Sequence, residues 1–309
     1  MSKIVVIGSI NTDMVVRSSQ LPFPGQTLMG HSFQTTGGGK GANQAVAAAR
    51  LGAEVSLIAR IGDDAFGKMS IENFKKEKIN IENIYTDNDA PSGVAFIVVD
   101  DKGENIIVVA PGANATLNEK DIHDAEDVIK KADIILFQLE IPMSTVAEGI
   151  GLAKKHNRMV MLNPAPAATM PKEILHSVDI ITPNQTEALT LTGIAVNDAV
   201  TAQHACDVLH GMGILTVIVT MGEQGAYISS ENYKGLVPGF TAGVVVDTVA
   251  AGDTFCGGLA IAIAEGKKIK DAVQFANAAA ALSVTKSGAQ ASIPMRTEVI
   301  NLMKHVSHS

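Results

Sequence analysis

The sequence has no tryptophan, only 4% aromatic residues and just two cysteines in 309 residues. Cys206 and Cys256 stand alone, so neither a disulfide framework nor a zinc site is available, and both read as small buried hydrophobes. No apolar run is long enough to span a bilayer. The N-terminal run Ile4-Val5-Val6-Ile7-Gly8 is strand-length and too short for a signal-peptide core, which points to a cytoplasmic protein. Positive charge is also short: 24 Lys and Arg against 32 Asp and Glu give a net −8. That balance excludes a general nucleic-acid or acidic-membrane binder, although a local basic pocket can still hold phosphate. The eight histidines lack metal-ligand spacing; His204 and His210, six apart, do not share a helix face well. There is no Gly-x-Ser-x-Gly elbow and no Cys/His arrangement for nucleophilic catalysis.

What is present is small and apolar: 46% hydrophobic residues, many of them alanine, with 28 glycines, a composition suited to helices packed closely on a sheet. Short apolar runs at 4–8, 55–60, 134–139, 159–162, 180–182 and 217–221 read as buried strands. Helical periodicity follows at 41–51, 65–77, 143–156, 199–212, 252–265 and 271–285. Such alternation implies a mainly parallel sheet covered on both faces, with ligands at the carboxyl ends of its strands. Segments 15–36 and 94–109 break the rhythm with hairpin character, the second turning at Asp100-Asp101-Lys102-Gly103. Val94 through Val99 is apolar on both alternating faces, so one face can cover a pocket while the other meets a second subunit. The tail 305–309 reads as frayed.

The richest segment is Thr35-Thr36-Gly37-Gly38-Gly39-Lys40-Gly41-Ala42-Asn43. It is not a Walker A loop, because Gly41 stands where Ser or Thr is required. Gly37-x-Gly39-x-x-Ala42 can be read as a variant dinucleotide fingerprint, but the next strand ends at Arg60 instead of an acidic ribose anchor. Close backbone approach to a small polar ligand explains the glycines together with Lys40 and Asn43; a tight turn explains the glycines alone. Asn11 and Asp13 follow the first strand, and Glu140 ends the 134–139 strand at the same edge. Asn184 and Glu187 stand at a strand end and helix start. They read either as a cap or as partners of water around a nucleotide-bound Mg²⁺. Thr220 through Gly225 forms a Gly-x-x-Gly turn between two strands.

The stretch Val244-Val245-Val246-Asp247-Thr248-Val249-Ala250-Ala251-Gly252-Asp253 poses the sharpest question. An apolar, strand-like run stops at Asp247, and a small-residue helix starts six residues on at Asp253. A helix start carries free N–H groups and a partial positive charge. Asp253 is therefore either its cap or a reactive carboxylate beside a bound anion. Acids and amides early in the chain, a turn cluster late, and this helix start together form the layout expected for phosphoryl transfer to a hydroxyl.

The segments GGKGANQAVAAARLGA, NPAPA, PNQTE, TMGEQGA, DTVAAGDTFCGG and KSGAQASIP, in that order, resemble the ribokinase/PfkB family of carbohydrate kinases. The resemblance covers essentially the whole chain. It implies one domain over 1–309, a three-layer α/β/α sandwich with a mainly parallel central sheet and a small β-sheet lid. That lid would come from about 12–36 and 93–112 and carry a homodimer contact. The implied activity is ATP-dependent phosphorylation of the 5-hydroxyl of D-ribose. Phosphorylation of deoxyribose or a nucleoside, or a non-catalytic sugar sensor, are the alternatives.

By the same resemblance Asn11, Asp13, Gly39, Lys40, Gly41, Ala42, Asn43 and Glu140 would hold the sugar. Asn184, Thr220, Met221, Gly222, Glu223, Gln224, Gly225, Ala251, Gly252 and Asn277 would hold ATP, with Glu187 near the Mg²⁺ waters. Asp253 would be the general base, kept ionised by nearby positive charge, and the N–H groups of Ala250, Ala251, Gly252 and Asp253 the anion hole. A K⁺ ion would take Asp247, Val249, Ser283, Lys286, Gly288 and Ser292. The chain departs from the family's frequent Gly-Ala-Gly-Asp in having Ala250, and Asn277 stands at a variable adenine-side position.

Overall fold

The computed structural model describes residues 1–306. Its strands are β1 (Lys3–Ile7), β2 (Asn11–Arg17), β3 (Ser32–Gly38), β4 (Glu54–Gly62), β5 (Ile84–Asp87), β6 (Gly93–Val99) and β7 (Asn105–Ala110). They continue with β8 (Ile134–Phe137), β9 (Met159–Leu162), β10 (Ile180–Ile181), β11 (Thr216–Thr220), β12 (Ala226–Ser229) and β13 (Lys234–Val237). Nine of them form one sheet in the order β13-β12-β11-β10-β9-β8-β1-β4-β5, parallel from β11 to β5 and antiparallel at the β12 and β13 edge.

Alternation along β1 shows the layering. Ile4 and Val6 join one buried cluster with the helices Lys40–Arg50, Ala251–Ala264 and Ile269–Ser283. Val5 and Ile7 join the other, with Met143–Lys155 and Ala199–Gly211. A strand buried on both faces reads as a continuous apolar run, and that run made β1 visible in the sequence. The six expected strands and six expected helices are all found, displaced by no more than two residues at any end.

The second sheet has the order β3-β2-β6-β7, built from two hairpins joined by the parallel pair β2 and β6. The Asp100–Gly103 turn forms as read: the Gly103 N–H donates to the Asp100 carbonyl at 3.0 Å. Register separates the faces of this sheet. Asp13, Val15, Arg17, Ile97 and Ile107 line a cavity of about 270 Å³ on one side. Met14, Val16, Phe33, Phe96, Ile106 and Val108 occupy the other parity, with Phe33 62%, Phe96 52% and Val108 61% exposed.

One expectation is overturned. Val244-Val245-Val246 is not a strand, so Asp247 does not end one. The run is an exposed loop held by the Val246 and Asp247 N–H groups donating to the Val284 carbonyl at 2.8 and 3.2 Å. Its apolar character has another cause: Val245 and Val246 line the cavity beneath the small sheet. At the C-terminus, residues 305 and 306 close the Arg296–Val306 helix, so fraying is not seen there; 307–309 lie outside the described residues.

Candidate active site

Strand order reverses at β1, which lies between β8 and β4, and crevices at such switch points hold ligands in open α/β sheets. Ser9 follows β1 there, Asn11 opens β2, and Glu140 follows β8 beside them. Ser9 Oγ donates to Glu140 Oε2, which also accepts from the Lys40 N–H at 3.0 Å. The glycines of 38–41 permit this approach. Gly39 has φ 88°, and a Cβ on it would lie 2.6 Å from the Asn11 nitrogen. A side chain on Gly38 would collide with the Asp13 carboxylate.

Asp13 is buried and, among the described residues, no donor reaches its carboxylate. Burial first, then the charges of Glu140 and Asp253, push its pKa up to about 7. Asn11 Oδ1 accepts from Asn114 Nδ2 at 2.8 Å, which leaves the Asn11 amide N–H groups to face a ligand. Ala42 is different: its methyl is fully buried in the core, so only its backbone belongs to this edge.

Asp253 occupies the first turn of the Ala251–Ala264 helix, and it does not cap it. The N-cap is Ala250, which makes no side-chain bond and sits in the left-handed region at φ 61°. A non-glycine residue held there costs about 1–2 kcal/mol, a strain typical of functional turns. The Ala251 N–H donates to the Thr248 carbonyl at 3.3 Å. It is thereby occupied, a change from the expected set of four anion-hole donors. Among the described residues the N–H groups of Ala250, Gly252 and Asp253 have no backbone partner, and they sit at the positive end of the helix dipole.

Asn43 Nδ2 donates to Asp253 Oδ2 at 2.9 Å and Gln44 Nε2 to Oδ1 at 3.1 Å. Burial pushes the Asp253 carboxyl above the ordinary carboxylate range, opposed by the Lys40 charge and these two amides. Positive charge therefore does not win outright as expected; the free site makes Asp253 a stronger base than an exposed aspartate. For Lys40, burial acts to lower the ammonium, but Asp253, Glu140 and Glu187 outweigh it and hold its pKa up.

Asn184 caps the Gln185–Thr192 helix in a closed box: its Oδ1 accepts from the Glu187 N–H at 2.8 Å, and both Glu187 oxygens accept from Asn184. The cap reading of this pair is thus realised. Burial raises the Glu187 carboxyl, countered by the Asn184 N–H and by Lys40. The Thr220 N–H donates to the Pro183 carbonyl at 2.9 Å, joining the 220–225 turn to the same edge. Gly222–Gln224 makes a single 3₁₀ turn, Met221 is buried in the core, and Asn277 Nδ2 donates to the Val237 and Pro238 carbonyls, each at 3.1 Å.

The pfkB family carbohydrate kinase model matches residues 1–296. The chain belongs to the PfkB family of carbohydrate kinases. This PfkB-family chain is 46% identical over 302 residues to the ribokinase of Haemophilus influenzae, covering 98% of each. It is 38% identical over 292 residues to the deoxyribokinase of Salmonella typhi, covering 94% of this chain and 95% of that one. The solved structure of Arabidopsis thaliana ribokinase complexed with ribose and ATP superposes with a TM-score of 0.91 at 33% identity, covering 98% of this chain and 99% of that one.

Around the second aspartate, the PfkB-family chain joins two loops. Asp247 Oδ1 accepts from the Val249 N–H and Oδ2 from the Gly288 N–H, both at 3.0 Å. Ser283 and Ser292 donate their hydroxyl protons to the Ala280 and Ala289 carbonyls, each at 2.8 Å, leaving oxygen lone pairs for other use. Lys286 pairs through its ammonium with Glu298 at 2.9 Å, so only its backbone is available to this loop.

Sequence reading missed Ser9, Gln44, Asn114, Gln138 and Asn163. These polar groups are buried behind the site, and nothing in composition or period distinguishes them from surface amides. The one signal was positional: Gln44 and Asn163 lie inside segments that carry the family resemblance, and Ser9 and Gln138 stand two residues before Asn11 and Glu140.

Proposed function

We propose that this chain transfers the terminal phosphoryl group of ATP to the 5-hydroxyl of D-ribose, giving ribose 5-phosphate and ADP. The observation that carries this reading is Asp253, a buried carboxylate in the first turn of a helix whose Gly252 and Asp253 N–H groups have no backbone partner among the described residues. Asp253 accepts the 5-hydroxyl proton as the oxygen attacks, and burial, which raises its pKa, makes it a stronger base than an exposed aspartate. The N–H groups of Ala250, Gly252 and Asp253 meet the charge that develops on the moving phosphoryl.

On the sugar side, Asp13 accepts from ribose hydroxyls and Asn11 donates. Asn43 Oδ1 is buried without a partner, which marks it as an acceptor awaiting a hydroxyl. Lys40 and Glu140 complete this wall. On the nucleotide side, ATP lies along Asn184, the 220–225 turn, Ala251, Gly252 and Asn277.

Glu187 fits a Mg²⁺ ion held through water better than direct ligation, because both of its oxygens already accept from Asn184. The ion neutralises phosphate charge when bound. A K⁺ ion suits the loops tied by Asp247, with the carbonyls of Val249, Ser283, Lys286 and Gly288 and the hydroxyl of Ser292 as ligands. It would add positive charge beside the anion hole. The four-stranded sheet closes over the sugar as a lid, and its outward apolar face pairs with a second copy. The enzyme works in the cytoplasm, where ATP is supplied; no helix among the described residues is long and apolar enough to cross a membrane.

The test is ADP release with ribose, deoxyribose and a nucleoside, each with and without K⁺. Ribose is expected to give the highest kcat/KM, with K⁺ stimulation. A preference for deoxyribose would transfer the reading to the deoxyribokinase side of the family, and no release with any sugar would leave a sensor.

A further inference from the structure

Behind Asp253 runs a chain of buried amides with one fixed direction. The Thr182 carbonyl can only accept, so Asn163 must turn its Nδ2 towards it, at 3.0 Å. Asn163 Oδ1 then faces Gln44, whose Nε2 donates to it at 3.2 Å and to Asp253 Oδ1 at 3.1 Å. The remaining Gln44 oxygen accepts from Gln138 Nε2 at 2.7 Å. Gln44, Gln138 and Asn163 are all buried. A flip of the Gln44 amide would set oxygen against two acceptors and nitrogen against a donor, so its N–H is held on Asp253 by the whole chain.

We infer that Gln44 is a positioning residue that fixes Asp253 Oδ1 and favours its ionised form, leaving Oδ2, on the Asn43 side, to take the sugar proton. The inference rests on the reading of Asp253 as the base. Gln44 does not meet the substrate: it is fully buried, and its three polar contacts are with Asp253, Asn163 and Gln138. The charged and titratable groups acting on Asp253 are Lys40, which favours ionisation, and Glu140, Asp13, Glu187 and the Cys256 thiol, which oppose it. Against four such groups and full burial, the directed Gln44 donor adds to Lys40 and the Asn43 amide in favouring the ionised form.

The experiment is the pH profile of kcat/KM for ribose in the parent, Gln44→Met, Gln138→Met and Asp253→Asn, with thermal unfolding run on each. Gln44→Met keeps the length and removes the donor. Its acid limb should move up by about one pH unit, the scale of one hydrogen bond to a charged group. Activity on the acid side of the limb should fall about tenfold and recover as pH is raised. Gln138→Met does not touch Asp253 and should move the limb in the same direction by less, which keeps the test open if Gln44→Met does not fold. Loss that is uniform at every pH, or an unshifted acid limb in both methionine variants, overturns the positioning role while the base stands. If Asp253→Asn keeps parental turnover, the base assignment itself has failed.

Discussion

The contact between Asn43 and Asp253 lies one helical turn before a second contact, between Ala47 and Gly257. A Cβ on Gly257 would come within 2.6 Å of Ala47 Cβ and 2.9 Å of the Ala48 nitrogen. Glycine therefore sets how near the two helices lie, and that spacing lets the short amides of Asn43 and Gln44 reach the aspartate. Gly257→Ala must push the helices apart. It should cost about 1–3 kcal/mol of stability, as overpacking does, and lower turnover together with it. Urea unfolding and steady-state turnover check this. Parental values for both would separate helix spacing from the geometry of the site.

Asp13 gives a pH prediction. In the folded chain its carboxyl keeps its proton up to about 7, whereas the ordinary value is 3.8. Between those values the folded state binds more protons than the unfolded one, so this residue's contribution to stability falls as pH rises through that window. Asp13→Asn removes the buried charge. The variant should match the parent near pH 4 and exceed it by up to ~4 kcal/mol at pH 8, at about 1.4 kcal/mol for each pH unit. The same change should weaken ribose binding by about 1.5–3 kcal/mol for each charged hydrogen bond lost. Calorimetry with ribose and unfolding at both pH values provide the two readouts. Unchanged ribose affinity would remove Asp13 from the sugar wall.

Much of this was legible because the relevant periods are local. Both buried faces of β1 and β8 write themselves as unbroken apolar runs, and Gly39 and Gly41 mark where backbone must approach backbone. The Val244–Val246 run misled for the same reason: an apolar triplet, two of whose members line a cavity, has the pattern of a buried strand. Gln138 and Asn163 lie 94 and 119 residues from Gln44 along the chain, and the three meet only when the sheet closes. No period or spacing encodes such a meeting.

The outer face of the small sheet predicts assembly. Phe96 and Val108 are cross-strand neighbours on that face and more than half exposed. Phe96→Lys combined with Val108→Glu keeps a favourable cross-strand pair while making the face polar. Light scattering at micromolar concentration should show a dimer for the parent and a monomer for the double variant, with weaker retention of ribose. A monomeric parent at that concentration refutes the assembly.

Asp253 and Asp247 stand six residues apart and should fail in different ways. Asp253→Asn keeps the side-chain shape and the free N–H groups but loses the base, so turnover should drop about 10²–10⁴-fold while ATP and ribose still bind. The two Asp247 oxygens hold the Val249 and Gly288 N–H groups, away from the Asn43 and Gln44 amides that hold Asp253. In Asp247→Asn one of those N–H groups must face an amide nitrogen, and the charge that offsets a K⁺ ion is gone. Chemistry should survive there with K⁺ stimulation lost, because the helix start that meets the phosphoryl is intact. Turnover measured against K⁺ concentration for the parent and both variants separates the two roles. If Asp247→Asn loses as much turnover as Asp253→Asn and still responds to K⁺, the carboxylate at 247 serves only to tie the two loops.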